Sequence, residues 1–151
     1  MDSAALNVAA HRRAALAVLI LGVYLELVEW VDLFPWNDVR RGNGQASLDI
    51  ILGCLFDLFT FGLWRVWRGM SLVSAFALLS WLGLQLWTFW VPYLGGASEK
   101  WLRLHKRWFA DTVQWLPEWP GHPPPDANHI LLQMLVTAAL IFSVRAARSG
   151  K

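Results

Sequence analysis

Five carboxylates stand where a bilayer makes them costly. Glu26, Glu29 and Asp32 recur every third residue in an apolar run, and Asp49 and Asp57 lie eight apart in the next one. A charged carboxylate near the centre of a transmembrane helix costs about 2.5–3.5 kcal/mol. Each of these acids therefore has to be hydrated, protonated or paired. Clustered carboxylates with amide and hydroxyl oxygens suit hard cations, and chains of Asp, Glu and His relay protons through membranes.

Composition supports a membrane setting. Hydrophobic residues make up 56% of the 151 and charged residues 16%, against about 25% charged in a typical soluble domain. The eleven tryptophans fit membrane–water interfaces, where an apolar ring with one polar N–H is at home. A net charge of +2 gives no reason to expect a nucleic-acid partner. The lone Cys54 excludes an internal disulfide, and it reads as a small buried apolar residue. No glycine-rich phosphate loop or Glu-x-x-His pair is present.

The elements that must position the acids follow from hydropathy and breakers. A first span is expected over Ala14–Phe34, too long for a cleaved leader, after a polar terminus of residues 1–13. Pro35 closes it, and Gly42-Asn43-Gly44 turns the chain into a second span, Leu48–Trp67, capped by Ser47. A tight Gly69-Met70 connection and a Ser71 cap lead to a third span, Leu72–Val91, ended by Pro92. The stretch from 97 to 117 has a different pattern. Trp101, Leu102, Leu104, Trp108, Phe109, Val113 and Trp115 fall on one side of its helical wheel, with Lys100, Arg103, Lys106 and Arg107 on the other. That describes an amphipathic helix lying at the membrane interface, Trp101, Trp108 and Trp115 facing lipid and the four cations facing the headgroups. A lid packed on protein is the other reading. After a stiff Pro120–Pro125 connector, Asp126 caps a fourth span, Ala127–Ala147. The expected fold is all-α: one integral membrane domain over residues 1–151, a four-helix bundle with an added amphipathic interfacial helix between the third and fourth spans.

Turning polar stripes away from lipid brings the candidates together. Glu26 and Asp57 each lie about eight or nine residues from the first loop, roughly 12–14 Å deep. Gly22 and Gly53 share their faces and permit close helix approach. Gln85 joins from the third span, and His129 and Gln133 from the fourth. The expectation is an acidic cavity of Glu26, Glu29, Asp32, Asp49, Asp57, Gln85, His129 and Gln133 that binds or conducts a cation or proton. Arg40 and Arg41 are the nearest cations. The identity of any metal or cofactor does not follow. His129 has a second reading as a helix cap; His11 and His122 read as solvated, and His105 as a headgroup residue.

Two further functions fit the same pattern: an accessory subunit of a larger membrane complex, and a small enzyme acting on a lipid-type substrate. The bilayer is the first partner in each case, with a homo-oligomer or a larger membrane protein as the next. Ten Arg against three Lys suggests a GC-rich bacterium, hence an inner-membrane location. Cations on the two sides of a four-span arrangement number seven and six; the larger count favours cytoplasmic termini. Two short stretches, Pro35-Trp36-Asn37-Asp38-Val39 and Pro124-Pro125-Asp126-Ala127-Asn128-His129, stand out as signatures without an assigned role.

Overall fold

A computed structural model describes the backbone over residues 3–37 and 46–149, with side chains over 4–37 and 50–149. Among the described residues the regular structure is helical, with no strand beyond one isolated bridge between Trp119 and His122. In order these are α1 (Ser3–Trp30), α2 (Ala46–Trp64), α3 (Arg68–Gln85), a π-helical turn (Leu86–Trp90), α4 (Val91–Gly95), α5 (Glu99–Phe109) and α6 (Ala127–Ser149). Three stretches are long and apolar enough to cross a membrane: Ala4–Trp30, Arg68–Gly95 and Ala127–Ser149. The described apolar part of α2, Ile50–Trp64, is shorter.

Helix α6 packs against both α1 and α3, while α2 packs on α1 and touches α3 lightly. Small residues make the α1–α6 seam close: Ala14, Ala15, Val18, Val136, Ala139 and Ala146 are all buried. Leu78 of α3 and Phe56, Phe59 and Leu63 of α2 complete the core. Outward-facing apolar side chains such as Leu16, Ile20, Phe76 and Leu84 stay exposed, as expected for helices whose outer solvent is hydrocarbon.

Helix ends differ from the sequence expectation, each for a local reason. Helix α1 starts at Ser3 rather than Ala14, because the alanine-rich stretch from residue 4 favours helix and its inner face packs on α6. His11 is buried, not solvated; its Nδ1–H donates to the Asn7 carbonyl at 3.0 Å. At the other end α1 stops at Trp30, before Phe34. There Asn37 folds back, donating to the Val28 and Val31 carbonyls and accepting from Leu33 N–H, so one amide replaces a helical turn. A cis Phe34–Pro35 peptide follows.

Helix α2 ends at Trp64, and the tight turn lies at Arg65–Trp67 instead of Gly69-Met70. Trp67 N–H reaches back to the Gly62 carbonyl and Val66 N–H to that of Leu63, both at 3.0 Å. This is a Schellman stop with Val66 in the left-handed position, at φ 58°. Ser71 consequently lies inside α3, buried, and caps nothing. Pro92 does not end the third span. The wide turn over Leu86–Trp90 precedes it and the helix resumes to Gly95; a proline lacks the N–H that a regular turn would require.

Helix α5 is shorter than the amphipathic pattern, 99–109 in place of 97–117. Ser98 caps its start by accepting from Trp101 N–H at 3.3 Å. At its end Thr112 Oγ1 donates to the Phe109 carbonyl at 2.9 Å. Helix α6 starts where expected, with Asp126 Oδ1 accepting from His129 N–H at 2.9 Å.

Candidate functional site

Two of the expected acids come together. Glu26 of α1 and Asp57 of α2 line one open groove of about 430 Å³ between these helices. The glycines have the role that their spacing implied. A Cβ on Gly53 would stand 2.3 Å from Glu26 Oε1, and one on Gly22 would stand 3.2 Å from Phe56 Cβ. Glu26 can therefore lie across α2 only because residue 53 has no side chain. Its other oxygen, Oε2, accepts from Trp30 Nε1–H at 2.9 Å, one helical turn on. Thr60 belongs to the same lining, although its Oγ1 is itself buried and has no hydrogen-bond partner among the described residues. Cys54 also lines it and is exposed rather than buried.

Glu29 lines a narrower cleft along the same seam, beside Gly22, Gly53 and Phe56. Asp32 is exposed just past the end of α1. The side chain of Asp49, and Arg40, Arg41 and the Gly42–Gly44 turn, lie outside the described residues. Gln85, His129 and Gln133 line neither cleft. The reason is helix rotation: the polar stripe of α6 faces the end of the third span, not the acids of α1. Gln133 Oε1 accepts from Trp90 Nε1–H at 2.7 Å, and His129 packs at a tilt against Phe89 with ring centroids 4.2 Å apart. Gln85 is buried and its Oε1 has no partner among the described residues. No group of three or more His, Cys, Asp or Glu side chains is arranged to hold a metal among the described residues.

A second polar cluster, at the N-terminus of α6, takes in the described part of both unassigned signatures; Asp38 and Val39 lie outside the described residues. Asp126 is only 2% exposed and accepts from His129 Nδ1–H at 2.6 Å as well as from the His129 backbone. Beside it Tyr24 of α1 donates to Asn128 Oδ1 and accepts from Trp36 Nε1–H at 3.0 Å. The Pro-Trp-Asn and Pro-Asp-Ala-Asn-His stretches thus meet through Tyr24. Backbone bonds reinforce the junction: Val113 N–H to the Pro35 carbonyl at 2.9 Å, and Ala127 N–H to that of Val113 at 2.8 Å. Tyr24, Trp36, Asp126 and Asn128 were not among the expected site residues; the signal that could have found them was those two polar stretches beside proline.

Helix α5 covers this junction. Its apolar side turns onto protein: Trp101 and Phe109 pack edge-on to Phe89, and Phe109 also meets His129. His105 is 5% exposed and donates Nε2–H to the Pro124 carbonyl at 2.8 Å. Burial lowers the His105 pKa, because the imidazolium loses water; the Pro124 hydrogen bond opposes this only in part. Lys100, Arg103, Lys106 and Arg107 form the exposed side, with Arg103 3.5 Å from Glu99. Trp108 and Trp115 remain exposed, Trp115 edge-on to Trp36. Of the three tryptophans expected at the interface, Trp101 thus packs on protein, while Trp108 and Trp115 stay open at the surface. His122, expected to be solvated, donates Nδ1–H to the Tyr93 carbonyl at 2.8 Å.

Helix length and apolarity thus define a helical membrane protein with an acidic groove on its α1–α2 seam. Comparison with family models, with curated proteins and with solved structures gives no match.

Proposed function

We propose that the chain is a four-span integral membrane protein of the bacterial inner membrane, with cytoplasmic termini, whose α1–α2 groove binds a cation or proton. In this reading α2 is the fourth membrane-crossing element. The observation that carries the proposal is the shared groove of Glu26 and Asp57. Two carboxylates on an apolar seam gain more from a positive charge than from one another, since like charges at short range repel strongly where water is scarce. The glycine beneath Glu26 supports a positioned carboxylate rather than a tolerated one.

The test is infrared titration of the carboxylates in lipid nanodiscs. Protonation, or binding of an added cation, is expected to shift one set of carboxylate bands, and that response should vanish in an E26Q/D57N double variant. A titration response that persists unchanged in the double variant would overturn the proposal. Orientation is tested by reporter fusions at both termini.

One observation favours a second reading. The groove lies along the outer surface of the helix pair, where Val23 and Ile50 are 60% and 56% exposed. An accessory subunit, or a homo-oligomer, would cover such a surface with a neighbouring helix.

A further inference from the structure

We infer that the α1–α2 groove takes an organic ammonium with an apolar body rather than a bare metal ion. This deepens the cation reading and rests on it. Volume is the first argument. About 430 Å³ lies in the ~300–1,000 Å³ range of small-molecule pockets, far more than a single ion fills. Donor count is the second. The described residues hold no group of three or more His, Cys, Asp or Glu placed for a metal, so a divalent ion held by Glu26 and Asp57 would have to keep most of its water in an apolar groove.

Chemistry of the lining is the third. Its accessible acceptors are the carboxylates of Glu26 and Asp57. A primary ammonium carries three N–H donors and no acceptor, and carboxylates only accept, so the two acids are its complement. The remaining wall is apolar, from Leu19, Val23 and Ile50, and would bury an alkyl body at about 25 cal/mol per Å². Trp30 joins the same lining and offers a ring for the cation. Exposure of Val23 and Ile50 opens the groove sideways, so an amphiphilic amine would enter from the hydrocarbon.

The same chemistry is carried by a free alkylamine and by a lysine on a neighbouring transmembrane helix. The experiment separates these sources. The full chain in zwitterionic nanodiscs is titrated with decylammonium, with decanol, and with leucine-rich transmembrane peptides holding a central Lys or Leu. Empty nanodiscs correct for partitioning. Saturable binding of decylammonium, at least ten-fold tighter than decanol and weakened at least ten-fold by E26Q or D57N, assigns a free amine. Lys-peptide binding that exceeds Leu-peptide binding by the same margin, with the same sensitivity, assigns a helix-borne ammonium. The Ile50→Trp variant fills the groove and leaves both acids in the chain, and it should abolish binding with helicity unchanged. Equal binding of the charged and neutral probes overturns the inference, as does indifference to all three substitutions. Should Mg²⁺ or Na⁺ shift the carboxylate bands while no ammonium probe binds, the cation proposal survives and this inference falls.

Discussion

Removing the Asp126 carboxylate should loosen the whole loop side of the molecule. One Asp126 oxygen accepts from the His129 backbone N–H and from His129 Nδ1–H, and the residue is 2% exposed. Loss of an N-cap costs about 0.5–2 kcal/mol. A hydrogen bond to a charged group contributes about 1.5–3 kcal/mol more. Asp126→Ala should therefore destabilise by about 2–4 kcal/mol, the two losses overlapping because they share one oxygen. Asp126→Asn keeps a cap acceptor of nearly equal rank and loses only the charge, so about 1–2 kcal/mol is expected. The assay is reversible unfolding in mixed micelles with increasing SDS, followed by far-UV circular dichroism. A double-mutant cycle with His129→Gln should give a coupling of about 1 kcal/mol, as for residues in one network. An Asp126→Ala variant within ~0.5 kcal/mol of wild type, the range of ordinary surface substitutions, would refute the reasoning. Equal losses for Ala and Asn would refute the cap contribution in particular.

Three other outcomes follow from single features. Val66 stands at φ 58°, where a side chain costs about 1–2 kcal/mol; Val66→Gly should raise stability by up to ~1 kcal/mol after glycine's own chain-entropy cost, read in the same SDS titration. Gln133→Leu strands the Trp90 indole N–H that Gln133 now accepts; a loss of about 1–3 kcal/mol is expected, with the change in Trp90 environment visible in near-UV circular dichroism. His105 has its pKa lowered by burial, so the unfolded chain binds its proton first. The contribution of neutral His105 is complete above the ordinary value of 6.5 and is lost as pH falls below it. Amide hydrogen exchange in 99–109, corrected for intrinsic rates, should accelerate relative to α6 as pH falls through this window. His105→Phe should remove that dependence.

Much of the helical scaffold is legible in the chain because hydrocarbon leaves few options. Backbone groups in a bilayer must satisfy one another, so an apolar run of some twenty residues is a helix wherever it packs. That is why α6 begins at its expected residue and why the Gly22 and Gly53 faces are the ones that meet. Helix ends were less legible. Asn37 stops α1 by reaching carbonyls six and nine residues back, and Val66 turns the chain where Gly69 is the stronger signal.

The two acidic runs by themselves determine that carboxylates enter an apolar environment at matching distances from one loop, and that glycines lie beside them. Only the tertiary structure decides which helix each stripe faces. Rotation of α6 by its packing on α1 and α3 sends His129 and Gln133 to Phe89 and Trp90, leaving Glu26 and Asp57 in a groove of their own. Helical periodicity says which residues share a face, and it is silent on the neighbour. Small residues at one seam and aromatic rings at another make that choice, through contacts between positions as distant in sequence as Tyr24 and Asn128.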